Sequence, residues 1–263
     1  VSGTLLAKSL SQQRRGLVGW SIGALAVIWS MVALWPSVHS MGDISGFMDR
    51  YPDAIKDLFD IDSITTGRGY LNAELFSIIL PAMFIVFAVS RGARSIAGEE
   101  EAGRLGTLLT LGLPRRRAVI ESALSVAGST LALAGATWVA IFAGSAVMSM
   151  GVSPGAAASA ATSMWVLGAL HGMVALAVGA ATGRRSAAAG AGGALAVAGY
   201  VLYVAGQLVD ALHPWQWMSP FAQALRGGPI GAGLPSGYLV LALVAVLVVG
   251  ASIPAFDRRD VAG

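Results

Sequence analysis

Cysteine is absent from the chain. Disulfides, thiolate-held zinc, iron–sulfur clusters and thiol nucleophiles are therefore excluded. Charge is scarce too: 12% of residues are Asp, Glu, Lys or Arg, against about 25% in ordinary soluble domains. A water-facing surface is hard to build from so few charges, whereas a lipid-facing surface needs none. Lysine is nearly missing, with Lys8 and Lys56 beside 15 arginines. Lys8-Ser9 ends like a phosphate-binding loop, but Ser2 and Ala7 stand where its glycines belong, so the chain has no ATP site of this kind. The net charge of +3 is small and is no sign of nucleic-acid binding. What remains is apolar, 56% of the chain, rich in Ala, Gly, Val and Leu.

A membrane helix needs about 20 apolar residues, and the gaps between charges mark six all-α spans in a single transmembrane domain over 1–263. Residues 16–42 carry no charge, giving a first span at 16–35 stopped by Pro36. This run is too long for the h-region of a cleaved signal peptide, which has about 7–15 residues. A second span, 71–90, carries only Glu74. Residues 122–183 hold 62 positions without a charge, which suits two spans, 118–148 and 161–182, separated by the turn Gly151-Val152-Ser153-Pro154-Gly155. Arg184 and Arg185 form a short turn before a fifth span, 187–209, and the sixth is 238–256. Outer segments fill 36–70 and 210–235.

Six spans place both ends of the chain on one side. The segments on that side hold Lys8, Arg14, Arg15, Arg91, Arg94, Arg104, Arg115, Arg116, Arg117, Arg184, Arg185, Arg258 and Arg259. The other side holds Arg50, Lys56, Arg68 and Arg226. By the positive-inside rule both termini are expected in the cytoplasm. Leu6, Leu10 and Leu17 beside Lys8, Arg14 and Arg15 suit an N-terminal helix lying on the inner surface. Residues 43–62, with Phe47, Tyr51, Leu58 and Phe59 among six aspartates, suit one or two short amphipathic helices. Trp215, Trp217 and Phe221 suit an outer segment that sits at the interface or re-enters it.

The segment 91–117 has its own logic. Glu99, Glu100 and Glu101 come first, where a helix start favours negative charge; Arg115, Arg116 and Arg117 come last, where a helix end favours positive charge. Leu105, Leu108 and Leu109 fall on one face at i, i+3 and i+4. Gly112 and Pro114 should stop the helix. So short a helix, weakened by Gly103 and Gly106, needs a surface to dock on. A partner's groove and the protein's own bundle or lipid suit it equally.

The run Ile96-Ala97-Gly98-Glu99-Glu100-Glu101-Ala102-Gly103, followed by leucines, Pro114 and arginines, resembles the segment between spans two and three of ABC type 2 exporter permeases. The order of parts resembles that family along nearly the whole chain, and Ser219-Pro220-Phe221 adds to it. Arg104 stands where the family commonly has Thr, and Pro114 comes later than its usual Pro. The resemblance implies that 91–117 is a coupling segment. Its docking residues for a separate ABC ATPase subunit would be Glu99, Glu100, Glu101, Gly103, Leu105, Leu108, Leu109, Arg115 and Arg116. It further implies a second permease subunit, identical or homologous, a bacterial cytoplasmic membrane, and no cofactor on this chain, with ATP and magnesium held by the partner. The expected activity is outward movement of a hydrophobic or amphipathic substrate.

Polar residues inside spans are functional candidates. Glu74 either lines a substrate path or reaches the outer interface. His171, in mid-span, either bonds across helices or relays protons. Glu121 either pairs with Arg117 at i, i+4 or extends the coupling surface. Pro81 should kink its helix. Trp138, Trp165, Tyr200 and Tyr203 lie within spans and either line a cavity or, on the simpler reading, pack in the core. Gly179 and Gly183 have the spacing of a close helix contact. Two rival readings are a membrane hydrolase using Ser252 with His171 as a Ser–His dyad, and a channel or scaffold working without an ATPase, for which no filter-like motif is present.

Overall fold

A computed structural model describes residues 4–40, 66–105 and 114–259, with side chains of the first stretch from residue 15 to 39. The amphipathic helices expected at 43–62, and Leu108 and Leu109, lie outside these residues. The described residues are helical, with no strand among them. The first helix, α1 (Thr4–Ser40), runs unbroken from the basic N-terminal stretch through the first apolar run. Residues 4–15 are thus part of the same helix rather than a separate surface helix, since no Pro or Gly lies among them to break it. Nor does Pro36 stop it. Proline removes one hydrogen bond and crowds the carbonyl four residues back, but tertiary contacts hold the turn that follows. Trp35 stacks on His39 at 4.9 Å and tilts against Tyr70 at 5.5 Å, and the Tyr70 hydroxyl donates to the Met31 carbonyl at 3.0 Å.

Next come α2 (Gly67–Leu71), a π-helical turn (Asn72–Phe76) and α3 (Ile79–Ser95). The two halves are bent by 43°. The break falls at Ser77–Ile78 and has a cause in Pro81: lacking an N–H, it leaves the Ser77 carbonyl without its usual donor. The next amide, that of Ala82, bonds Ile78 O at 2.9 Å. After α3 come the short α4 (Ala97–Glu101) and then α5 (Arg115–Val147), α6 (Pro154–Thr182) and α7 (Arg185–Leu208). A 3₁₀ turn (His213–Met218), a short α8 (Pro220–Leu225) and α9 (Ser236–Asp257) complete the order. Five helices, α1, α5, α6, α7 and α9, are long and apolar enough to cross a membrane, and the bent pair makes a sixth if it counts as one span.

Helix α6 is the axis of the bundle. It packs against α3, α9, α5 and α7, while α1 lies along α5. In its most apolar window 67% is buried, against 22% for α7 and α9 and 17% for α1. A helix apolar on every side belongs inside, and the small residues of α6 let neighbours come close. A Cβ on Gly172 would stand 2.9 Å from the Ala88 carbonyl oxygen, and one on Gly92 only 2.1 Å from that of Gly172. The α3 and α6 backbones therefore touch, an arrangement that small residues at four-residue spacing permit. The pair responsible is Gly168 and Gly172. Gly183 plays no such part: it ends α6 as a left-handed cap at φ 67°.

Candidate functional site

The end of the bundle where the arginines gather is called here the basic end. There the expected single amphipathic helix is broken. Helix α4 ends at Glu101, and Gly103 takes φ +68°, a conformation open to Gly without a Cβ penalty. Glu99 accepts from Arg104 at 2.8 and 2.9 Å in a paired, exposed contact, which raises the Arg104 pKa above its ordinary value, first by hydrogen bonding and then by charge. Glu100 is only 6% exposed and pairs with Arg259, 19% exposed, just past α9. Glu101 accepts the backbone N–H of Arg185 at 2.8 Å, at the first turn of α7, where a helix start favours a carboxylate.

The arginines also differ from expectation. Arg115, Arg116 and Arg117 open α5 instead of closing the preceding helix, because Pro114, at φ −61° and ψ 136°, starts a new one. Positive charge still meets a helix C-terminus, but that of another helix. Arg115 donates to the carbonyls of Phe256 at 2.7 Å, Asp257 at 3.2 Å and Arg259, and lies over the Phe256 ring. Arg117 pairs with Glu121 at 2.7 Å, the i, i+4 contact read from sequence. Leu105 is buried in the core and offers nothing to a partner, whereas Gly103 and Arg116 are exposed. The structure therefore divides the sequence-predicted set. Glu100, Leu105 and Arg115 hold the bundle together, Glu101 does so from an exposed position, and Glu99, Gly103 and Arg116 lie at the surface without tying helices to one another.

At the opposite end the segment after α7 re-enters the bundle. It descends along α7, through Gln216 and Ser219, and then rises along α6. Ser159 donates to Pro229 O at 2.9 Å and also to Gly233 O, Ser163 donates to Ala224 O at 2.6 Å, and the Phe221 ring meets His171 edge-on at 6.0 Å. From Ser159 to His171 is about 18 Å of helix at 1.5 Å per residue. Non-helical backbone at that depth needs internal partners, and it has them. Ser219 caps α8, accepting from Phe221 N at 3.1 Å, and donates to Gly199 O of α7 at 2.7 Å. Asn72 accepts from Ile230 N at 3.0 Å and donates to Ile230 O at 3.4 Å. The sequence carried one signal for α8 that went unread: Ser followed by Pro is an N-cap and first-turn pair. Phe221 goes inward, while Trp215 and Trp217 stay exposed.

Above α8 lies a cavity of about 670 Å³, lined among others by Arg68, Asn72, Tyr200, Tyr203, Gln216 and Arg226. Of the four span aromatics that suit either a cavity or the core, Tyr200 and Tyr203 line this space. Trp138 and Trp165 do not; their indole N–H groups bond Pro154 O at 3.1 Å and Ala127 O at 3.0 Å. Neither Glu74, which is exposed, nor His171 lines the cavity. His171 is wholly buried and bonds no neighbouring helix. Its Nδ1 meets the Leu167 carbonyl of its own helix at 2.8 Å, and Nε2 has no hydrogen-bond partner among the described residues. The Ser–His dyad is therefore not formed, and the Ser252 hydroxyl donates to Val249 O at 2.7 Å.

Residues 4–257 match the model of a family described as "Multidrug efflux system permease Rv1217c, C-terminal domain". No curated protein matches the chain.

Proposed function

This chain belongs to that family of multidrug-efflux permeases and is a multi-pass membrane protein, and from that premise we propose that it is the membrane-spanning half of an ABC type 2 exporter. In this reading the bent pair counts as one of six spans, and the basic end faces the cytoplasm of a bacterial plasma membrane. A second permease unit, identical or homologous, completes the path. A separate ATPase binds ATP and magnesium and docks on 91–117 through Glu99, Gly103, Leu108, Leu109 and Arg116. Closure of the ATPases then moves a hydrophobic or amphipathic substrate outward. The observation that carries the reading is the family match along 4–257.

The geometry of the basic end supports coupling. Helix α4 follows directly on α3 and is tied to α9 through Glu100–Arg259 and to α7 through Glu101–Arg185. A push on 97–105 would reach three helices through contacts that are short and charged. The docking test leaves Glu100 and Glu101 untouched, because they also hold helices in place. The chain is expressed with an ABC ATPase, and both co-purification and stimulated ATP hydrolysis are measured. Glu99→Lys with Leu108→Asp is expected to abolish both while the melting temperature stays unchanged. Normal binding and coupling in that variant would refute the docking assignment.

A further inference from the structure

The cavity above α8 has a charge balance that no feature of the export reading requires. Among the described residues its lining includes two guanidinium groups, Arg68 and Arg226, and no carboxylate. Both side chains are exposed, and neither makes an ion pair among the described residues. They are held to one rim by the loop that follows α8. Gly231, at φ +98°, lies so close to Arg68 that a Cβ there would stand 2.5 Å from the guanidinium carbon. Arg226 leads directly into the left-handed Gly227 and Gly228 of the same loop. The loop is pinned in turn by the Asn72 bonds to Ile230. The rest of the lining is mixed: Phe76, Met150, Ala222 and Leu225, all nearly buried, beside the polar Asn72, Ser77 and Gln207, and the Tyr200 ring, which stands edge-on to Phe221 at 5.3 Å.

Two guanidiniums without an ion pair among the described residues, on a cavity whose mixed lining keeps some apolar surface, match a ligand with an anionic head and a short apolar tail. Guanidinium binds phosphate and carboxylate in paired hydrogen bonds, and a pocket of a few hundred Å³ suits a single small amphiphile. We propose that this cavity binds an anionic amphiphile, the head on Arg68 and Arg226 and the tail against Phe76, Met150 and Leu225. The assignment rests on the cavity and not on the ATP-coupled reading. It is tested without an ATPase, so either one can fail alone.

The experiment is calorimetric titration of the chain in phosphatidylcholine nanodiscs, with empty discs as baseline. The probes are dodecyl phosphate, dodecylphosphocholine and inorganic phosphate. Dodecyl phosphate is expected to saturate, and to bind at least about tenfold tighter than either other probe. Arg68→Gln with Arg226→Gln should remove that preference, while Arg68→Lys with Arg226→Lys should keep most of it. Arg226→Gln alone, at an exposed position, should weaken dodecyl phosphate about threefold or more and serves if the double variant misfolds. Equal binding of dodecyl phosphate and dodecylphosphocholine would overturn the proposal, as would indifference to the Gln variants. Inorganic phosphate binding as tightly as dodecyl phosphate would show a free-anion site and overturn the role of the tail.

Discussion

The two ends of the bundle secure their non-helical backbone by opposite means. At the basic end the fastenings are charged. Glu100 meets Arg259, Glu101 receives the start of α7, and Arg115 closes the end of α9. At the opposite end, where residues 213–230 fold back into the bundle, the fastenings are neutral: Ser159, Ser163, Ser219 and Asn72 each bond a backbone group. A charge at mid-bilayer costs about 2.5–3.5 kcal/mol on insertion scales, whereas a hydroxyl or carboxamide satisfies the same backbone group at less cost. The contrast shows that depth selects the chemistry of the fastening. It also separates the cavity arginines, which neutral neighbours hold in place, from Arg115 and Arg259 at the basic end, which are consumed by bonds within the bundle.

The comparison can be broken in order of expected effect. Glu100→Ala leaves Arg259 buried and unpaired, and removal of one partner of a buried pair costs about 3–5 kcal/mol. Because this pair is slightly exposed, the lower figure is expected, read as a fall in the unfolding midpoint in mild detergent. Asn72→Ala frees both Ile230 groups and should cost about 1–3 kcal/mol, with faster amide exchange confined to residues 226–231. Ser163→Ala removes one donor to Ala224 O and should cost about 1 kcal/mol. Glu99→Ala, which breaks only the exposed pair with Arg104, should change stability by less than about 0.5 kcal/mol. Adding 1 M salt shortens the Debye length to about 3 Å. It should narrow the difference between wild type and Glu99→Ala while leaving the Ser163→Ala difference unchanged. Equal salt sensitivity in those two variants would mean that the ends are not held differently.

Much of the helix plan was legible in sequence because lipid excludes charge, so a local count of charge-free residues reflects a local physical demand. The apolar runs later seen in α5, α6, α7 and α9 could be placed in this way. The Arg117–Glu121 contact was legible for the same reason, since i, i+4 spacing is set within one helix. Other features depended on neighbours. Pro36 reads as a stop, yet Trp35, His39 and Tyr70 carry the helix past it. Gly179–Gly183 and Gly168–Gly172 have the same spacing, yet only in the second pair do both glycines lie against the backbone of a neighbouring helix; Gly183 meets the Arg259 and Glu100 side chains instead. His171 reads as a group awaiting a cross-helix partner, but the side chain beside it is Phe221, which offers no acceptor in the ring plane.

The sequence by itself determined that the chain is helical, largely charge-free and asymmetric in its arginines, because hydropathy and helical period act over a few residues. It also determined that 91–117 is unlike the rest. Only the tertiary structure decided which of its charges are spent inside the protein. Glu100 is 159 residues from Arg259, and Arg115 is 141 from Phe256. No local pattern specifies such pairings. They follow from the packing of α6 with its neighbours, which brings the ends of α4, α7 and α9 together and places Arg68 and Arg226 around one cavity at the other end.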